Sequence, residues 1–204
     1  MDSHSTIIKA TIALIPFYGV SDETLLKACI DLNLYEDFCK FHDGIYDILN
    51  HINDDLINFI TIKFNETDNI NNFKVREKIQ YAVQLCLIYY SSLPNYRELL
   101  KNILSATPYN MCFSITSLYK ITDAIWNLAG DTSTDFNYYT KRTTLAAIYV
   151  STLMYFINDF SENHNYTTLF LERRINNIIQ IHNAKSLIAD KLEKFNIFKV
   201  KFND

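Results

Sequence analysis

Breakers are scarce in this sequence: three glycines (Gly19, Gly44, Gly130) and three prolines (Pro16, Pro94, Pro108) serve 204 residues. A turn-dense β fold needs many more such residues, so the scarcity favours long helices. With only isolated glycines there is no phosphate loop, no dinucleotide fingerprint and no Gly-x-Ser-x-Gly elbow. Cysteine is sparse and unpaired, with Cys29, Cys39, Cys86 and Cys112 forming no Cys-x-x-Cys. Each falls in an apolar helical pattern, so all four are expected as reduced core residues. No apolar run approaches the ~18 residues that a membrane span requires. Positive charge is in deficit, with a net charge of −4, so no global field draws the chain to nucleic acid. The first residues, MDSHSTIIKA, read as neither a signal peptide nor an Arg-rich transit peptide.

What is present is helical periodicity. Ile8, Ile12 and Ile15 mark a first helix over about 6–18, closed by Gly19. Ser21 or Asp22 caps a short second helix, and a third short helix is expected over about 35–42. Gly44 precedes a long helix carrying Ile48, Leu49, Ile52, Leu56 and Ile60. Together these outline a helix-turn-helix unit over residues 1–65. The polar stretch NETDNINN, from Asn65, marks a boundary. A larger helical domain follows over residues 73–182. Its helices are opened by Phe73, Pro94 and Pro108 and closed by Gly130, Asn158 and His182. Residues 183–204 read as an amphipathic tail. The expected architecture is all-α with about ten helices.

The catalytic constellations are missing as well. The five histidines are dispersed, and no Glu-x-x-His pair supplies a carboxylate-bridged di-iron site. Asp47 and His51 lie one helical turn apart and read as a surface ion pair before they read as metal ligands. No cofactor and no enzymatic activity are expected. The helix-turn-helix invites DNA binding, but residues 1–52 hold three lysines, no arginine and eight acids, a net of −5. The second helix of the pair, YEDFCKFH, sets Glu36 and Asp37 against Lys40 alone, and phosphate-backbone affinity depends on cations. Nucleic acid is not an expected partner.

The stretch from Ala129 to Arg142, AGDTSTDFNYYTKR, exceeds what helix capping requires. Gly130 and one of Ser133, Thr134 or Asp135 suffice to end one helix and begin another. The aromatic and cationic run behind them reads as a partner surface. Trp126, Ala129, Gly130, Asp131, Ser133, Thr134, Asp135, Phe136, Asn137, Tyr139, Thr140, Arg142, Leu145, Ala146 and Tyr149 together resemble the ubiquinone biosynthesis accessory family. That family comprises lipid-binding proteins of mitochondria and alphaproteobacteria. Phe170 to Ile175, and Ala13 to Pro16 with Gly19, extend the likeness weakly. Tyr138 stands where the family usually has Trp, and Lys141 where it usually has Arg.

The resemblance implies a TetR-regulator-like fold and a non-enzymatic role, with a ligand-responsive transcriptional regulator as the alternative. It implies that isoprenoid lipid, ubiquinone or a precursor, is presented to a di-iron demethoxy-ubiquinone hydroxylase at a membrane surface. The docking residues would be Asp135, Tyr138, Tyr139, Lys141 and Arg142. Ile115, Leu118, Ile125, Trp126, Leu128, Ile148, Leu153 and Phe156 are the candidates for lipid contact. Residues 183–204 hold five lysines against three acids, and Ile188, Lys191, Leu192 and Phe195 suit a membrane interface. A homodimer through the last two long helices is implied. The expected place is the bacterial cytoplasm, peripheral on the inner membrane.

Overall fold

The computed structural model describes residues 3–134 and 136–177. Among these there are eight α-helices and no strand, fewer helices than the ten expected. They are α1 (Ser3–Tyr18), α2 (Asp22–Asp31), α3 (Ile45–Asn65), α4 (Val75–Ser91), α5 (Tyr96–Ala106), α6 (Met111–Leu128), α7 (Phe136–Phe156) and α8 (165–177). Part of the shortfall has a local cause. Residues Tyr35–Lys40, expected as an α-helix, form a 3-10 turn instead, and Cys39 Sγ bonds the Glu36 carbonyl there at 2.9 Å. Cys39 and Cys112 are exposed and only Cys29 and Cys86 are buried, so half of the cysteine expectation fails. All four are free.

The caps were legible. Gly19 takes φ 82° and donates to the Ile15 carbonyl at 2.9 Å, ending α1. The Ser21 hydroxyl accepts from the Thr24 amide and caps α2. Asp22 does something else. Its carboxylate accepts the Ile45 amide at 2.7 Å, tying the start of α3 to α2. Gly44 has φ 58°, and a Cβ there would meet Asp22 Oδ1 at 2.2 Å, so the turn and the tie both require glycine.

A single apolar core runs from Ile7 to Ile175. On α3 the line Ile45, Ile48, Leu49, Ile52, Leu56, Ile60 and Phe64 is wholly buried, a 3.6-residue stripe set against α4 and α6. On α7, Leu145, Ile148, Tyr149, Thr152, Leu153 and Phe156 are buried as their spacing predicts. Asn102 fastens α5 to the end of α1, donating to the carbonyls of Ile15 at 2.8 Å and Pro16 at 3.2 Å. Pro108 opens a 3-10 turn, Thr107–Asn110, and the Asn110 side chain caps α6 by accepting from Phe113.

Candidate functional site: the α6–α7 corner and its cavity

The corner is built from a helix end. Gly130, at φ 86°, donates to the Asn127 carbonyl, and the Asp131 amide donates to the Trp126 carbonyl at 3.0 Å. This paired bonding is the Schellman arrangement, which needs a residue at home in the left-handed region. It turns the Asp131 side chain back under the start of α7, where that side chain is 3% exposed. Ser133 donates its hydroxyl to Asp131 Oδ1 at 2.8 Å.

From α7, one helical turn in, two adjacent cations meet this acid. Lys141 Nζ reaches Asp131 Oδ1 and Ser133 Oγ, both at 2.6 Å. Arg142 is 3% exposed. Its Nε donates to Asp123 Oδ1 at 2.6 Å, and its Nη1 to Asp131 Oδ2 at 3.1 Å and to the Tyr138 carbonyl at 3.2 Å. The guanidinium carbon lies 3.3 Å from the Tyr138 ring centroid. The Tyr138 hydroxyl donates to Asp123 at 3.0 Å and bonds Tyr119. Two carboxylates from α6 and the turn are thus matched by two cations from α7.

The electrostatics follow. Burial alone would raise the Asp131 carboxyl, but the hydrogen bonds from Lys141, Ser133 and Arg142 outweigh it and hold the group far below the usual carboxylate range. The Tyr138 phenol is pushed up to about 12, chiefly by its hydrogen bond with Tyr119 and then by burial and Asp123. A second acid behaves like Asp131. Asp159, between α7 and α8, is opposed by burial but accepts from Ser161 and Thr167, which hold it low. Native values below the unfolded value of 3.8 mean that both acids contribute stability above about pH 4 and lose it as pH falls toward the native values. Urea unfolding at stepped pH should therefore show stability falling below about pH 4, with the fall shallower in Asp159→Asn.

An apolar cavity of about 320 Å³ opens beside the corner. Val75 and Ile79 of α4, Leu145 and Ile148 of α7 and Ile175 of α8 make its greasy walls. Trp126 and Lys141 border it as well, with the Lys141 ammonium 5.3 Å from the Trp126 ring. A second cleft of about 160 Å³ lies between α3, α5, α6 and α7, where Leu118 and Leu153 line it beside the bonded Tyr90 and Tyr149 phenols.

The sequence-predicted lipid contacts divide. Trp126 and Ile148 line the larger cavity, and Leu118 and Leu153 the smaller. Ile125 and Phe156 are solid core at 0% exposure, and Leu128 is half-buried against it. Ile115 is 60% exposed. Periodicity says which face of a helix is apolar, not how far along its length a neighbour covers it. At the start of α6 it is Phe113 that packs against the core, and Met111 and Ile115 fall on the uncovered face. The residues missed were Val75, Ile79, Leu145 and Ile175. Their helical stripes were legible, but that α4, α7 and α8 leave a gap among them was not.

Of the docking residues, Tyr139 is 64% exposed, whereas Arg142 is turned inward. Tyr138 and Lys141 are half-buried in the network, and Asp135 lies outside the described residues. The residue overlooked is Phe136, 82% exposed beside Tyr139. Ile188, Lys191, Leu192 and Phe195, and the rest of the tail, also lie outside the described residues. Asp47 and His51 do not pair: Asp47 accepts from the Asp43 amide, and His51 sits 3.2 Å from Asp55. Among the described residues no group of His, Cys, Asp and Glu is placed to hold a metal, and no helix is long and apolar enough to cross a membrane.

In architecture this is a TetR-regulator-like helical protein. It superposes on a TetR transcriptional regulator from Nitrosomonas europaea with a TM-score of 0.64, over 86% of this chain and 97% of that one. Sequence identity there is 15%, a likeness of fold alone. Residues 111–182, which take in the corner, match the COQ9 family model. The human mitochondrial ubiquinone biosynthesis protein COQ9 is 33% identical over 55% of this chain and 34% of its own length. The rat protein is 27% identical over 89% of this chain and 60% of its own. The chain thus spans 60% or less of these two relatives.

Proposed function

We propose that this chain is a non-enzymatic accessory protein of ubiquinone biosynthesis. It holds ubiquinone or an isoprenoid precursor and presents it to a di-iron demethoxy-ubiquinone hydroxylase at a membrane surface. The observation that carries the reading is the position of the apolar cavity. Trp126, Asn137, Thr140 and Leu145 belong both to the residues that match the family motif and to the cavity border. At about 320 Å³ the cavity lies at the lower end of ligand-pocket sizes, enough for a head ring and the start of a tail. Each CH₂ taken from water contributes about 0.8 kcal/mol, so an uncharged tail is retained without any catalytic group.

Docking to the hydroxylase falls to Phe136 and Tyr139, the exposed aromatics of the first turn of α7, while Arg142 and Tyr138 hold that helix in place. Exposed aromatic anchors of this kind each carry about 2 kcal/mol or more of an interface. Replacing Phe136 and Tyr139 together by alanine is expected to reduce co-purification of the hydroxylase more than tenfold with an unchanged melting temperature. Undiminished co-purification removes these residues from the interface. Membrane attachment is assigned to residues 183–204 on their charge and apolar pattern. A homodimer face is assigned to α7 and α8, where Met154, Tyr166 and Leu169 are exposed.

The alternative, a ligand-responsive regulator, is favoured by the fold likeness. It is opposed by the would-be recognition element. That element is a six-residue 3-10 turn whose Lys40 lies 2.7 Å from Asp37, leaving little to offer a phosphate backbone.

A further inference from the structure

We infer that the outward edge formed by Tyr109 and the first turns of α6, as far as Lys120, is a membrane-contact face that lies in the interfacial layer of a phospholipid bilayer. The inference rests on the membrane-surface reading above. To the contact assigned to residues 183–204 it adds a second one, on the folded body.

The face begins as an apolar line that the fold leaves uncovered. Phe113 turns inward and packs on Tyr46 of α3, with ring centroids 4.9 Å apart. Met111, Ile115 and Tyr119 are spaced four residues apart, so they share a line on the side away from Phe113. Tyr109 is 90% exposed, Met111 61% and Ile115 60%, and Tyr119 is exposed as well. Single exposed apolar residues need no explanation, but a run of them along one edge marks a contact surface.

Hydroxyls on this edge suit withdrawal from water. The Thr116 hydroxyl donates to the Cys112 carbonyl at 2.9 Å, and the Tyr119 hydroxyl bonds Tyr138. Neither is left without a bond when water leaves, which removes the main cost of burying them. Tyr109, at the end of the line, has the ring and wet hydroxyl that favour the headgroup layer.

Charge selects the occupant. The chain holds 23 acidic residues, yet none falls between Glu98 and Asp123. The cations of that stretch are Lys101, paired with Glu98 at 2.6 Å, and Lys120. Lys120 is exposed and has no ion-pair partner among the described residues. An acid-free apolar line ending in a lysine fits phosphate headgroups over acyl chains: the lysine stem runs along the apolar surface and its ammonium reaches the phosphates. The face also stops beside the docking aromatics, since the Tyr119 ring lies 6.4 Å from Tyr138 and Tyr138 lies 5.2 Å from Tyr139. A carrier that meets its enzyme at a bilayer needs the two contacts side by side.

Cys112 stands beside this line and is exposed, as is Cys39 on the helix-turn-helix unit, whereas Cys29 and Cys86 are buried. A nitrobenzoxadiazole probe is placed on Cys112 in full-length Cys39→Ser, and on Cys39 in Cys112→Ser as the reference. Vesicles of phosphatidylcholine and phosphatidylglycerol are then added. On binding, the Cys112 probe is expected to shift to the blue and to be quenched by lipid carrying a shallow spin label, while the Cys39 probe keeps its emission in water. Met111→Asp combined with Ile115→Asp should lower vesicle affinity at least about tenfold, at an unchanged melting temperature because both side chains are exposed. Vesicle-bound protein whose Cys112 probe stays in water, or a double variant that binds as the unaltered protein does, overturns the inference. Either result leaves the tail as the membrane contact and returns the α6 face to a protein partner. Unaltered protein that binds no vesicles overturns the membrane-surface reading, and this inference with it.

Discussion

Arg142→Met is expected to destabilise the protein by about 3–5 kcal/mol, the largest effect of any single change at the α6–α7 corner. The side chain is 3% exposed and makes three hydrogen bonds, to Asp123, to Asp131 and to the Tyr138 carbonyl. Methionine fills similar space but leaves the buried Asp131 with Lys141 as its only cation. Asp123 loses its ion pair at the same time, and removing one partner from a buried charge network costs far more than the pair contributed. For a chain of this size that corresponds to a fall in melting temperature of roughly 6–20 °C, read by calorimetry or circular dichroism. Lys141→Met should cost much less, because that side chain is 36% exposed and Arg142 still answers Asp131. Equal effects of the two changes would contradict the assignment of Arg142 as the keystone of the corner.

The second large effect is on the cavity. Thr144→Trp places a ring among its walls without burying a charge, and bound lipid is expected to fall more than tenfold. Leu118→Trp, in the smaller cleft between α3, α5, α6 and α7, should leave lipid content near that of the unaltered protein. Lipid recovered by extraction and counted against protein separates the two. A loss confined to Leu118→Trp would move the lipid site to the smaller cleft.

The comparison of sequence with structure follows the physics of each signal. Caps were readable because they are local: Gly19, Ser21 and Gly130 do what their residue types require within one turn. Stripes were readable where a neighbour covers the whole helix, as on α3 and α7, and misleading on α6, where Phe113 turns to the core and leaves Met111 and Ile115 in solvent. The Tyr35–Lys40 turn escaped because six residues hold too little pattern to tell 3-10 from α. The motif from Ala129 to Arg142 announced a family, but spacing alone did not say which of its residues face outward. Adjacent residues on a helix point about 100° apart, so Lys141 stays half-exposed while Arg142 goes inward. The role of Asp123, a full turn before the motif, required the fold to bring it to Arg142 at 2.6 Å.

What the corner does is hold α6 against α7 so that Trp126, Thr144 and Leu145 keep fixed places around one cavity. The central claim is that the cavity carries an isoprenoid lipid. Native mass spectrometry of the protein as purified, followed by lipid extraction and identification, tests it most directly. The account predicts an adduct whose extracted lipid is a quinone or an isoprenoid precursor, at up to one per chain. Protein that is free of lipid after expression in quinone-producing cells, and stays free when isoprenoid quinone is added, would contradict it.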